Sequence, residues 1–222
     1  LDSYLRAKIK PSDDLDEFQF TMLLDGVLDF AIENVPPNIN IWAGLYNSNG
    51  VSSTNRIIIS ENNSLGGSVT LSAVRKQGLH YILMNDQNED NYSDNYYNFK
   101  INLDVTDVYE YNGSRADAKT VNLNTFYYPK LRPNNDEDYF QFTTSSTGNI
   151  TVNVSNVPIE IDADVYILNS SGSTIASSTN TALGQNVTLI KNNAGAGTYY
   201  LKIEDGGNNA SSTQFYNFRI NN

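Results

Sequence analysis

Apolar residues recur at every second position through much of this chain. Val152 and Val154, Val165 and Ile167, and Leu201 and Ile203 are pairs of this kind. A period of two puts one set of side chains on a single face of an extended strand, so these stretches are predicted to be half-buried β-strands. Turn-forming clusters interrupt them: Asn47 to Gly50, Gly66-Gly67, Ser170 to Gly172 and Gly206-Gly207. Helical periodicity is absent beyond a turn or two near Ala116 to Thr120. The pattern predicts an all-β chain made of antiparallel β-sandwiches.

The pattern is also duplicated. Lys8-Ile9-Lys10-Pro11, Asp14, Asp16 and Phe18-Gln19-Phe20 return as Lys130-Leu131-Arg132-Pro133, Asp136, Asp138 and Phe140-Gln141-Phe142. Asn34-Val35-Pro36 returns as Asn156-Val157-Pro158, and Tyr97-Asn98-Phe99 as Tyr216-Asn217-Phe218. The period, roughly 120 residues, is that of a whole domain and too long for a solenoid repeat. The expected organisation is two tandem sandwiches, residues 1–103 and 121–222, joined by a linker over 104–120. The chain opens at Leu1, close to a predicted strand, as expected of a mature fragment or a trimmed piece of a larger multidomain protein.

Charge narrows the partners. Twenty-five acidic against fourteen basic side chains give a formal charge of −11. An acidic surface repels phosphate backbones, which argues against nucleic-acid binding. No apolar run approaches the roughly 20 residues of a membrane helix, so no membrane insertion is expected. Cysteine is absent, which removes disulfides, thiolate metal sites and a thiol nucleophile.

Several strings in order carry a family resemblance. Asp107-Val108-Tyr109-Glu110-Tyr111-Asn112-Gly113-Ser114 is followed by Asp136-Glu137-Asp138-Tyr139-Phe140-Gln141-Phe142 and then by Asp162-Ala163-Asp164-Val165-Tyr166-Ile167-Leu168. Gly197-Thr198-Tyr199-Tyr200-Leu201-Lys202-Ile203 and Tyr216-Asn217-Phe218 complete the series. In this order they resemble the bacterial pre-peptidase C-terminal domain, the family that includes collagen-binding modules of clostridial collagenases. The resemblance implies a jelly-roll-like β-sandwich that is exported, non-catalytic and appended to secreted or cell-surface proteins. It also implies calcium held by Glu110, Asn112, Asp136 and Asp138. This chain departs from the family at Tyr111, where proline is usual, and at Gly113. Hard cations prefer six to eight oxygens from carboxylates, amides and backbone, which this set can supply in part. The alternative is that these are turn carboxylates capping nearby backbone amides. In the first copy Asp13, Asp14 and Asp16 remain, without the preceding segment.

Exposed aromatics are the second candidate chemistry. Trp42, Gly44 and Tyr46 alternate with Ala43 and Leu45 and are expected on the outward face of one strand. Rings four residues apart would stand about 13 Å from each other over a bare glycine. Such a cradle suits sugar rings, although Trp42 packing on a neighbouring surface is an equal alternative. Tyr127 and Tyr128 join it as candidate carbohydrate contacts, with core packing as their alternative. The aromatic pair of the clostridial collagen-binding modules is replaced here by Glu204 and Gly206, and in the first copy by Asn85 and Gln87.

Catalysis finds little support. His80 is the single histidine, its counterpart is Tyr199, and no nucleophile elbow accompanies it. The sequence therefore leads to a monomeric, non-catalytic module, secreted or on the cell surface, that binds a neutral polysaccharide such as an α-glucan. A protein-directed adhesive module and a calcium-stiffened spacer are the alternatives.

Overall fold

The computed structural model describes residues 4–179 and 182–222; Leu1 therefore lies outside the described residues. The chain divides into two compact units, Leu1–Thr106 and Asp107–Asn222. In the first unit the strands are β1 (Leu5–Ala7), β2 (Asp16–Met22), β3 (Gly26–Glu33), β4 (Ile41–Tyr46), β5 (Arg56–Glu61), β6 (Val69–Arg75), β7 (Gly78–Asp86) and β8 (Tyr97–Asp104). In the second they are β9 (Lys119–Thr120), β10 (Phe126–Tyr127), β11 (Glu137–Thr144), β12 (Gly148–Ser155), β13 (Ala163–Asn169), β14 (Thr174–Ser178), β15 (Val187–Ala194), β16 (Gly197–Asp205) and β17 (Asn217–Asn221). Among the described residues there is no helix. The fold is all-β, with antiparallel sheets in each unit.

The two units share one plan. The first has sheets β1-β8-β3-β6 and β2-β7-β4-β5; the second has β10-β17-β12-β15 and β14-β13-β16-β11-β9. Strand for strand the orders coincide, except that β9 adds a parallel strand at the β11 edge, pairing Lys119 with Phe140 and Thr120 with Gln141. Of the expected linker, residues 104–120, all from Asp107 onward belongs to the second unit. The expected helical turn near Ala116 is a hydrogen-bonded turn, Asp117 N to Ser114 O, that leads into β9.

Alternation accounts for the cores. Val152, Val154, Val165, Ile167, Leu201 and Ile203 all lie in the buried cluster of the second unit, with Phe140, Phe142 and Phe218. Phe30, Phe99, Ala43, Leu45 and Ile82 occupy the equivalent interior of the first. Turn chemistry repeats as well. Asn47 Oδ1 accepts from Asn49 N at 2.9 Å and Asn169 Oδ1 from Ser171 N at 3.0 Å, the side chain imitating a backbone turn. Each turn closes on a glycine with positive φ, 89° at Gly50 and 90° at Gly172, where a side chain would be strained.

Candidate metal site

The acidic residues singled out on either side of β10 meet inside the second unit. Residues 107–112 run along the start of β11, where Tyr139 N donates to Asn112 O at 3.0 Å. Tyr109 sets its ring edge-on against Phe140 at 6.0 Å and against Tyr127 at 5.7 Å, which closes the apolar side of the segment. Asp107 anchors it: its Oδ1 accepts from Tyr109 N at 2.8 Å and its Oδ2 from Lys130 N at 2.5 Å.

Behind this segment Glu110, Asn112, Asp136 and Asp138 are all buried, as is Asp107. Asp138 accepts from Asn112 Nδ2 at 2.7 Å and, through its other oxygen, from the Tyr216 hydroxyl. Asp136 Oδ2 accepts from Arg132 N at 2.8 Å. Glu110 Oε2 and Asn112 Oδ1 are buried without a hydrogen-bond partner. Such orphaned acceptors are costly, so they call for a proton or a cation.

The electrostatics point the same way. Burial, and then the charges of Asp136, Asp138 and Asp107, push the Glu110 carboxyl up to about 10; Lys119 opposes this weakly. Burial also pushes Asp136 up to about 8, against the hydrogen bond from the Arg132 backbone. Asp138 is raised by burial and by its acidic neighbours. Like charges packed in low dielectric cannot all ionise without a counter-charge.

These residues fit a hard cation in kind. Carboxylates, the Asn112 amide and nearby backbone carbonyls are oxygen donors suited to calcium. Among the described residues no three carboxylate or imidazole side chains form a metal-holding group by themselves. An ion here would need the unpartnered Asn112 Oδ1 and further oxygens besides the acids. Asp107 and Tyr216 belong to this cluster although sequence reasoning did not assign them. Asp107 opens the acidic string that contains Glu110; Tyr216 has no local signal, because only the fold brings it to Asp138.

The first unit keeps half of the arrangement. Lys10 N donates to Asp14 Oδ2 at 3.0 Å, and the Tyr97 hydroxyl to Asp16 Oδ2 at 2.6 Å, matching Arg132–Asp136 and Tyr216–Asp138. Asp16 is only half-buried and Asp13 is exposed.

The aromatic cradle is not open. Trp42, Gly44 and Tyr46 do share the outward face of β4, but their rings fold inward over the glycine. A Cβ on Gly44 would meet Tyr46 Cε2 at 2.9 Å and Trp42 Cζ3 at 3.1 Å. Tyr46 is consequently only 4% exposed and Trp42 half-buried. Tyr127 likewise stacks on Phe218 at 5.3 Å, and its oxygen accepts from Asn122 N at 2.7 Å. Of the four expected sugar contacts only Tyr128 is well exposed, at 54%. Glu204, at the position of the clostridial aromatic pair, is ion-paired to Lys202 at 3.0 Å. His80 packs on Phe20, and its Nε2 bonds Lys76 O at 3.0 Å.

What the fold and the cluster define is an all-β sandwich module with an enclosed group of acids. Residues 136–205, within the second unit, match the family model of the bacterial pre-peptidase C-terminal domain. Among solved structures the chain is similar to the pre-peptidase C-terminal domain of a collagenase from Bacillus anthracis, with 23% identity, 46% of this chain and 93% of that chain covered, and a TM-score of 0.37. It is also similar to the CUB1-EGF-CUB2 domains of human MASP-1/3, with 8% identity, 98% and 99% coverage, and a TM-score of 0.28. A Clostridium perfringens M60 catalytic domain with two CBM51 domains matches at 7% identity over 98% of this chain and 34% of that one, with a TM-score of 0.32. None of the curated proteins matches the chain.

Proposed function

We propose that the chain is a non-catalytic module of an exported bacterial protein, whose second unit is ordered by one calcium ion held among Glu110, Asn112, Asp136 and Asp138. The observation that carries this reading is the burial of Glu110, Asp136 and Asp138 together, with Glu110 Oε2 and Asn112 Oδ1 lacking any partner. A structural ion answers both the repulsion and the orphaned acceptors. It also ties residues 107–112 to β11, so the ion stiffens the entry into the second unit. The match of residues 136–205 to the pre-peptidase C-terminal family supports the non-catalytic and exported character. Polysaccharide binding through Trp42 and Tyr46 is no part of this reading, since their rings cover each other's platform.

The test is a thermal melt of the chain in chelator and in calcium. A ligand at a hundred times its Kd adds about 2.7 kcal/mol of stability. Calcium is expected to raise the melting temperature of the second unit by several degrees, and Glu110→Gln to remove most of that rise. A melt that ignores calcium, or a rise that survives Glu110→Gln, would sink the assignment.

A further inference from the structure

We propose that a hollow on the outer face of the first unit, over strands β6, β3 and β8, is a binding site for a neutral saccharide. The hollow has a volume of about 500 Å³, in the range of small-ligand sites, and Asp29, Ala31, Thr70, Ser72, Lys100 and Asn102 line it. Strand register builds it from two rows. Ser72, Asp29 and Asn102 stand side by side, and Thr70, Ala31 and Lys100 form the next row on the same face. Leu28, Phe30 and Ile32 alternate with Asp29 and Ala31 along β3 and fill the core, so both rows point away from it.

The second unit shows the same face with a bulkier floor. Its equivalent rows are Ile190, Thr151 and Asn221, then Thr188, Asn153 and Arg219. Asn153 stands where the first unit has Ala31, and its Oδ1 accepts from Thr188 Oγ1 at 3.1 Å. Ile190 stands where the first unit has Ser72. Threonine, a cation and asparagine are kept between the copies. The differences take bulk from the floor of the first unit and place a carboxylate, Asp29, beside it.

The lining selects its ligand by chemistry. Asp29 and Lys100 are diagonal neighbours of opposite charge, so the hollow favours neither an anion nor a cation. Ser72 Oγ donates to Asp29 Oδ1 at 2.7 Å and orients the carboxylate. A carboxylate has about four acceptor sites, so Asp29 can also take a ligand hydroxyl. Lys100 donates, while the Asn102 amide and the Thr70 hydroxyl both donate and accept. Sugar hydroxyls do both as well, and the C–H face of a sugar ring suits the methyl floor at Ala31. An extended peptide is a poorer match, because β3 is paired on both sides and offers it no backbone edge. The hollow lies on the other sheet from Trp42 and Tyr46, and it does not depend on an ion in the second unit.

Neutral trisaccharides of glucose, mannose, galactose, xylose and N-acetylglucosamine test the assignment. Each is titrated to about 10 mM into the isotopically labelled full chain, enough to detect a millimolar Kd, and amide chemical shifts are followed. Saturable binding of at least one sugar is expected, with the largest shifts at residues 29–31, 70–72 and 100–102. Ala31→Asn with Ser72→Ile gives this face the residues that the second unit already carries, so the strands are kept while the hollow is filled. Binding is then expected to weaken by about tenfold or more. Trp42→Ala is expected to leave it unchanged. Absence of saturable binding by every sugar overturns the proposal, and so does binding that survives the double variant or that needs Trp42.

Discussion

The two units place the same phenylalanine, the same tyrosine and the same pair of aspartates at the start of equivalent strands, yet they treat them differently. In the second unit residues 107–112 lie over Phe140, Asp136 and Asp138 and bury all three. In the first, Asp14 accepts from Lys10 N and Asp16 from the Tyr97 hydroxyl, but both acids and Phe18 remain partly in water. Core, sheet order and turns are indifferent to the change. In the second unit the covering segment turns this pair of carboxylates into an enclosed acid cluster.

The largest expected effect follows from the two rings. Phe140→Ala removes a fully buried side chain held by Tyr109 and Phe218, and deletions of this kind cost about 3–5 kcal/mol. Phe18→Ala removes a half-buried ring and is expected to cost roughly half as much. The single tryptophan, Trp42, lies in the first unit, so its fluorescence follows that unit while far-UV circular dichroism follows both. Denaturant melts should show Phe140→Ala shifting the dichroism transition strongly and Phe18→Ala shifting the Trp42 transition less. Equal losses would mean that residues 107–112 add nothing to the burial of Phe140.

Next comes pH. Glu110, Asp136 and Asp138 are raised from their ordinary values near 4, Glu110 to about 10 and Asp136 to about 8. The folded state then holds protons that the unfolded state releases, so stability without metal is present below about pH 4 and falls as pH rises through the raised values. Calcium bound as proposed would compete with those protons, so its stabilisation is expected to grow with pH. The dichroism melting temperature should fall from pH 5 to pH 8 in chelator and hold level or rise in calcium. In the first unit Asp16 is raised by burial, with a smaller push from the Asp14 charge, against the Tyr97 hydrogen bond. Its Trp42 transition should therefore depend on pH more weakly, with the same sign. Parallel pH profiles with and without calcium would break the contrast.

Much of this was legible in the chain, because alternation with period two is local. Val152, Val154, Leu201 and Ile203 announce both a strand and the face it buries. Glu110, Asn112, Asp136 and Asp138 were legible as an acidic string on each side of β10. What escaped depends on tertiary placement. The partnership of Tyr216 with Asp138 spans 78 residues, and the burial of Tyr109 needs Phe140 and Tyr127 already in place. The aromatic cradle failed for a related reason. Strand geometry fixed the face of Trp42 and Tyr46, but side-chain torsions decide whether rings stand up or lie down.

Gly44 controls that last choice, and its counterpart in the second unit is Tyr166, whose hydroxyl bonds Asp164 at 3.1 Å on the equivalent face. The first unit fills this patch with two rings leaning over a glycine; the second fills it with the residue at that position. Gly44→Ala puts a methyl within 3.1 Å of both Trp42 and Tyr46, closer than ordinary carbon contacts allow. Both rings lie on the solvent side of the sheet and can swing outward, so the expected cost is small, on the order of 1 kcal/mol. Trp42 emission should shift to the red as the indole moves into water, and a Trp42 transition lowered by that small amount should accompany it. Unchanged emission would show that the rings are held by the neighbouring strands instead of by the space above the glycine. Should the variant also gain retention on an insoluble polysaccharide, the closed rings would be a latent sugar platform that the glycine keeps shut.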